Sequence, residues 1–218
     1  MNLTVFNGSP KRGDNNTAVL IDTFIQGYTK NNAEHVIVCK LSDVKTIDKA
    51  VQLFKQADSV VIAFPLYGYA MPSGVKEFFE ALELLCNTCR NKKLGFIIQY
   101  GFPEAVHARP LEKYLEYVTS LLGCSYLGTI IKGGTDGLAR SPKRYKKILK
   151  AVYAIGSTFG TSGAFDKTLI ERLAKPEHLG LGTKILMRLM VPVINKYYWT
   201  AQLKKNGAID TCFARPYA

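Results

Sequence analysis

From Leu3 to Ile155 short apolar runs alternate with segments in which apolar residues recur every three or four positions. Leu3 to Phe6 is such a run, stopped by Asn7-Gly8-Ser9-Pro10, and reads as a buried strand ending in a loop. Asn15, Asn16 and Thr17 supply capping side chains, and Leu20, Ile21, Phe24, Ile25 and Tyr28 mark one face of the helix that follows. Val36-Ile37-Val38 predicts a second strand, Ile47, Val51 and Phe54 a second helix, and the β-branched run Val60-Val61-Ile62 a third strand. Met71-Pro72 opens a third helix with the stripe Val75, Phe78, Phe79, Leu82 and Leu85; proline is tolerated in a first turn, whose amides have no intrahelical acceptor. Leu94 to Ile98 predicts strand four, and Leu111, Tyr114, Leu115, Val118 and Leu122 helix four. Tyr126 to Ile131 predicts strand five before the loop Gly133-Gly134, and Tyr145, Ile148, Leu149, Val152 and Ile155 a fifth helix.

Strands that are apolar throughout must be covered on both faces, and strands alternating with helices fit a parallel sheet with helices on either side. With right-handed crossovers the best fit is a doubly wound α/β fold of five parallel strands in the order 2-1-3-4-5. Ligands of such sheets sit beyond the carboxyl ends of the strands, where the order reverses, so the loops after strands one, three and four are the expected site. The rhythm breaks near Gly160, which divides the chain into a domain of residues 1–160 and a helical extension of residues 161–218, punctuated by Pro176, Gly180, Gly182 and Pro192. The stretch from Leu179 to Tyr198 is apolar, but Lys184, Arg188 and Lys196 interrupt it and Pro192 would kink it, so it does not read as a membrane span. A terminal helix packed on the domain or on a second subunit is expected there, with peripheral contact of a basic amphipathic helix with a membrane as the alternative.

Composition narrows the class. A chain of 218 residues with 47% apolar content suffices for one sizeable core. The start, Met1 to Gly8, lacks a cationic leader followed by a long apolar stretch, and a cytoplasmic protein is expected. Five cysteines, an odd number scattered over an α/β pattern, read as thiols rather than a disulfide framework. Lys and Arg number 29 against 17 Asp and Glu, a formal charge of +12 that attracts anions without choosing among nucleotides, nucleic acids and acidic lipids.

Three loops carry the candidate chemistry. After strand one, Gly8 to Thr17 combines Ser9, Lys11, Arg12, Asn15, Asn16 and Thr17 at a helix start, where free amides, hydroxyl and amide donors and cations suit a phosphate. Neither GxGxxG nor GxxxxGK[ST] can be drawn through Gly8 and Gly13, so a phosphomonoester fits better than a dinucleotide or triphosphate. After strand three, Pro65, Leu66, Tyr67, Gly68, Tyr69 and Met71 place aromatic surface at a sheet edge, as a flat heteroaromatic ligand requires. After strand four, Tyr100, Gly101, Phe102, Pro103 and Glu104 face the same crevice, and nearby His107 is the candidate proton donor.

These three segments, in this order, resemble the flavodoxin-like NAD(P)H-dependent FMN reductases, a group related to iron-sulfur flavoproteins and quinone reductases. The resemblance covers residues 1–135, and the tail from Lys205-Asn206-Gly207 to Arg215-Pro216-Tyr217 also resembles the small reductases. It implies that Ser9, Lys11, Asn16 and Thr17 hold the FMN phosphate, that Pro65 to Tyr69 with Met71 line the isoalloxazine, and that Gly101 to Glu104 close its other side. The iron-sulfur members carry a cysteine cluster between strands two and three; Leu41 to Asp58 has no cysteine here, and Cys86 and Cys89 lack a second pair, so no metal centre is expected. The implied activity is hydride transfer from NAD(P)H through FMN to a small-molecule acceptor such as a quinone, a nitro or azo compound, a flavin or a ferric chelate, in a homodimer. The alternatives are a flavodoxin-type electron carrier, for which +12 is the wrong sign, and a basic nucleic-acid binder on the same fold, for which no recognition module is present and which is not expected.

Overall fold

The computed structural model describes residues 2–30, 35–42 and 47–215. Its strands β1 (Leu3–Asn7), β2 (Val36–Lys40), β3 (Ser59–Pro65), β4 (Lys93–Gln99) and β5 (Ser125–Lys132) form one parallel sheet in the order β2-β1-β3-β4-β5. The alternation of side chains along β3 shows why both faces had to be apolar. Val60, Ile62 and Phe64 pack with Phe6, Phe54, Phe78 and Phe96 on one side, while Val61 and Ala63 pack with Leu20, Phe24, Val152 and Phe159 on the other. The first layer is built from α2 (Ile47–Gln56), α3 (Ser73–Ala81) and α4 (Arg109–Leu122), the second from α1 (Asn16–Tyr28), α5 (Lys146–Ser162) and α6 (Lys167–Ala174).

Helices α1 and α5 meet backbone to backbone through glycines. A Cβ on Gly27 would lie 2.0 Å from the Tyr153 carbonyl oxygen, and one on Gly156 would lie 2.1 Å from that of Phe24. No side chain fits between these helices at those points.

Three boundaries differ from the expected ones. Helix α3 ends at Ala81 and a 3₁₀ turn, Glu83–Leu85, takes up the rest of the apolar stripe. The chain has to turn there so that Asn87 and Cys89 can donate their amides to the Leu121 and Leu122 carbonyls, and Asn87 adopts a φ of 60° to do so. Pro72 precedes α3 as its N-cap instead of lying in its first turn, and its carbonyl accepts from Val75 and Lys76. His107 belongs to a 3₁₀ turn, Ala105–Ala108, that leads into α4.

One compact unit spans Met1–His178 and a second Leu179–Ala218, so the division falls after α6 and not at residue 160. The reason lies in α6, which Asp166 caps through the Leu169 amide and which packs Ile170 and Leu173 into the second layer beside Phe165. The second unit consists of α7 (Leu181–Ile194), a π-helical turn (Asn195–Trp199) and α8 (Thr200–Lys205). Pro192 lies inside α7. Among the described residues no helix is long and apolar enough to cross a membrane. Pro216 and Tyr217, which end the reductase-like tail, lie outside the described residues.

Candidate functional site

Parallel register alone brings three of the loops to one edge. Asn7 pairs with Ala63, Pro65 with Gln99, and Gln99 with Lys132, so the chain leaves β1, β3, β4 and β5 at neighbouring carboxyl ends. The Gly8 amide donates to the Ala63 carbonyl at 2.7 Å and the Leu66 amide to the Gln99 carbonyl at 2.9 Å, which ties the first loop to β3 and the second to β4. Gly8 is required at its place: a Cβ there would lie 2.2 Å from Val75 Cγ2.

In the first loop the amide side chains are engaged in shaping the turn. Asn15 accepts from the Ala18 amide at 2.9 Å and donates to the Gly13 carbonyl at 3.0 Å, so it is the N-cap of α1. Asn16 donates to the Thr135 carbonyl at 2.9 Å and accepts from the Ala139 amide at 2.9 Å. Thr17 accepts from Gln99 Nε2 at 3.3 Å. The groups left for an anion are the first-turn amides of Asn16 and Thr17, the Ser9 and Thr17 hydroxyls, each of which accepts one bond and keeps a proton to donate, and the exposed cations Lys11 and Arg12. Asp14 is exposed. Asn15 is thus the capping side chain that the sequence predicts, and the Asn16 side chain bonds the loop after β5.

The second loop is a two-residue hairpin. Tyr67 and Ala70 exchange both backbone hydrogen bonds at 3.0 Å, with Gly68 and Tyr69 at φ 55° and 66°. A left-handed φ at a tyrosine costs roughly 1–2 kcal/mol, a cost glycine would avoid, and it holds the Tyr69 ring at the crevice. Pro65 is buried as the last residue of β3, Leu66 and Met71 are half-buried, and Tyr67 and Tyr69 are 54% and 63% exposed.

The third loop meets the second at His107. Its ring centroid lies 5.5 Å from that of Tyr69 and 5.3 Å from that of Phe102, and Nε2 lies 3.5 Å from Glu104 Oε2. Of the two rings that this loop could offer to the crevice, Tyr100 is the buried one. It is 6% exposed, its hydroxyl donates to the Glu104 carbonyl at 2.8 Å, and burial raises its phenol far above the usual tyrosine range. Tyr100 therefore pins the loop from within, while Phe102, 69% exposed, presents the aromatic surface.

A fourth loop, after β5, lies outside the three that the sequence points to and belongs to the same edge. A Cβ on Gly133 would lie 2.1 Å from the Phe102 carbonyl oxygen, and one on Gly101 would lie 2.7 Å from Asp136 Oδ2. Thr135 Oγ1 lies 2.7 Å from Gln99 Oε1 and 3.0 Å from the Tyr100 carbonyl oxygen. The buried chain Thr17, Gln99, Thr135 with Asn16 beside it thus locks the start of α1 to the ends of β4 and β5. The Gly133-Gly134 pair directly after a strand was the available signal for this close approach.

A cavity of about 510 Å³ lies at the opposite edge, lined by Lys55, Asp58, Cys89, Arg90 and Lys92 among others, where the strands begin. It is remote from the carboxyl ends at which sheets of this topology bind ligands. Cys124 packs near Cys89, and burial pushes its thiol up to about 12, the mark of an unreactive side chain.

A switch point between β1 and β3, a helix start offering free amides, and an aromatic cluster across the next two loops define the candidate ligand site of a doubly wound sheet. The chain belongs to the family described as flavodoxin-like fold, which matches residues 1–155. Among solved structures it is similar to an FMN-dependent NADH-azoreductase from Bacillus anthracis in complex with FMN (16% identity, 73% of this chain and 99% of that one, TM-score 0.58). It is also similar to an NADPH-quinone reductase from P. pentosaceus (17%, 70% and 96%, TM-score 0.54) and to RosB with bound 8-demethyl-8-formylriboflavin-5'-phosphate (14%, 87% and 86%, TM-score 0.61). No curated protein matches the sequence.

Proposed function

We propose that this chain is an FMN-dependent oxidoreductase that passes reducing equivalents from NAD(P)H to a small acceptor. The observation that carries the reading is the convergence at one sheet edge of an anion-suited helix start with the exposed rings of Tyr67, Tyr69 and Phe102. The residues present fit FMN. Ser9, Lys11, Arg12 and the amides of Asn16 and Thr17 would hold its phosphate, Pro65 to Tyr69 with Met71 would flank the ring, and Gly101 to Glu104 would close the far side. Bound there, FMN supplies the hydride chemistry, and so the protein needs neither a nucleophile nor a metal for that step. The chain's own tasks are to fix the ring, shield it from water with the Tyr69 and Phe102 side chains, and offer His107, beside Glu104, as the proton donor. Support comes from the azoreductase and quinone reductase neighbours, whose activities are of this kind. The acceptor class, a quinone or an azo compound, follows those neighbours.

The test is direct. Purified protein should show flavin absorbance or take up added FMN in preference to riboflavin, and should then oxidise NADPH or NADH in the presence of a quinone. Protein that takes up no FMN overturns the reading, and flavin uptake without turnover reassigns the chain to electron carriage. Replacing His107 with Gln should leave flavin uptake intact and alter the pH profile of turnover.

A further inference from the structure

The unit Leu179–Ala218 holds apolar surface that it does not bury. Leu181, Ile185, Leu186, Leu189, Met190 and Val193 of α7 are exposed, and α7 buries no residue. At about 100° per residue these positions span about 180°, and the exposed Met187, Val191 and Ile194 widen the apolar arc to about 280°, while Lys184, Arg188 and Asn195, at i, i+4 and i+11, align as a narrow polar stripe. A helix of this kind needs a cover, and charge says which. From residue 179 onward the sequence carries Lys184, Arg188, Lys196, Lys204, Lys205 and Arg215 against one carboxylate, Asp210. A second copy of the unit would bring like charges together, whereas an acidic surface would neutralise them. Beyond the apolar helix stand the exposed rings Tyr197, Tyr198 and Trp199, residue types that settle where hydrocarbon meets headgroups.

We propose that this unit docks on the surface of a bilayer rich in anionic phospholipid, with α7 lying in the interfacial plane. Its apolar side chains enter the acyl boundary, and Lys184 and Arg188 reach the phosphates. The two cations inside α7 favour lying on the membrane over crossing it. The proposal is independent of the oxidoreductase reading.

Trp199 is the sole tryptophan, so tryptophan emission reports on this unit alone. The full chain is titrated with phosphatidylcholine vesicles and with vesicles containing phosphatidylglycerol, and bound protein is measured by co-sedimentation. Expected are a blue shift and binding with the anionic vesicles. Binding should be weaker by about tenfold or more with neutral vesicles, at raised salt, or in the Lys184→Glu/Arg188→Glu double variant. Should the variant fail to fold, the salt series on the unaltered chain decides. Emission already blue in buffer and unmoved by either vesicle would mean that protein covers the helix, and it would overturn the proposal. Equal binding to both vesicle types would overturn it too.

Discussion

Thr135 shows how one hydroxyl can organise a ligand crevice without touching a ligand. Its Oγ1 lies 2.7 Å from Gln99 Oε1, and Gln99 in turn reaches Thr17 at the start of α1, with all three side chains buried. Replacing Thr135 with Val preserves shape and leaves the Gln99 oxygen without a donor, a loss expected to cost about 1–3 kcal/mol in chemical denaturation. FMN uptake should weaken as well, because the amides of Asn16 and Thr17 would lose their anchor to β4. Nothing in the sequence paired Gln99 with Thr17 or Thr135, because the residues lie 82 and 36 positions apart and meet only through the strand order. The side chains of Asn15 and Asn16 illustrate the same gap. Their residue types were right for a helix start, but whether an amide side chain serves a ligand or the backbone depends on what the fold brings beside it.

At the scale of elements, the α1–α5 pair rests on glycines that leave no room for a methyl group. Gly156→Ala would gain about 1 kcal/mol in helix propensity. It would also drive a Cβ to 2.1 Å from the Phe24 carbonyl oxygen, where rigid backbone on both sides cannot give way. Overpacking of this kind costs about 1–3 kcal/mol, so a net loss of stability is expected; an unchanged or raised thermal midpoint would contradict the contact. The five strands and the five helices of residues 1–162 were legible from apolar runs and three-to-four spacing, which report burial, and burial is what these elements have in common. Their ends were less legible. The stop of α3 at Ala81 depends on Asn87 and Cys89 reaching the last turn of α4, a partner that periodicity along the chain does not reveal.

At the scale of the whole unit, Arg109 joins segments far apart in sequence. Its guanidinium donates to Glu177 at 2.8 Å and to Glu112 at 2.7 Å, while Pro176 and Glu177 accept the Ala105 and Val106 amides, so residues after α6 steady the turn that carries His107. The hydrogen bond from Arg109 holds the Glu177 carboxyl below the usual glutamate range. A carboxyl so lowered adds stability at pH values above its unfolded pKa of about 4.3, and the contribution disappears as pH falls through the lower folded value. Glu177→Gln should therefore be less stable than the parent chain at neutral pH, with the difference in thermal midpoint closing on acidification below about pH 4. A difference that stayed constant with pH would assign the loss to packing.

The linear pattern of residues was enough to determine a parallel α/β sheet, its strand order and the edge at which its loops open, because burial periodicity and crossover handedness leave few other arrangements. It also marked the aromatic and cationic residues of the first three loops. Tertiary structure alone decided that Tyr100 turns inward while Phe102 turns out, that the loop after β5 joins the crevice, and that the first unit runs on to His178. The physical reason is common to all three: each depends on a contact between segments distant in sequence, and the periodicity of either segment records that it is buried without recording by what.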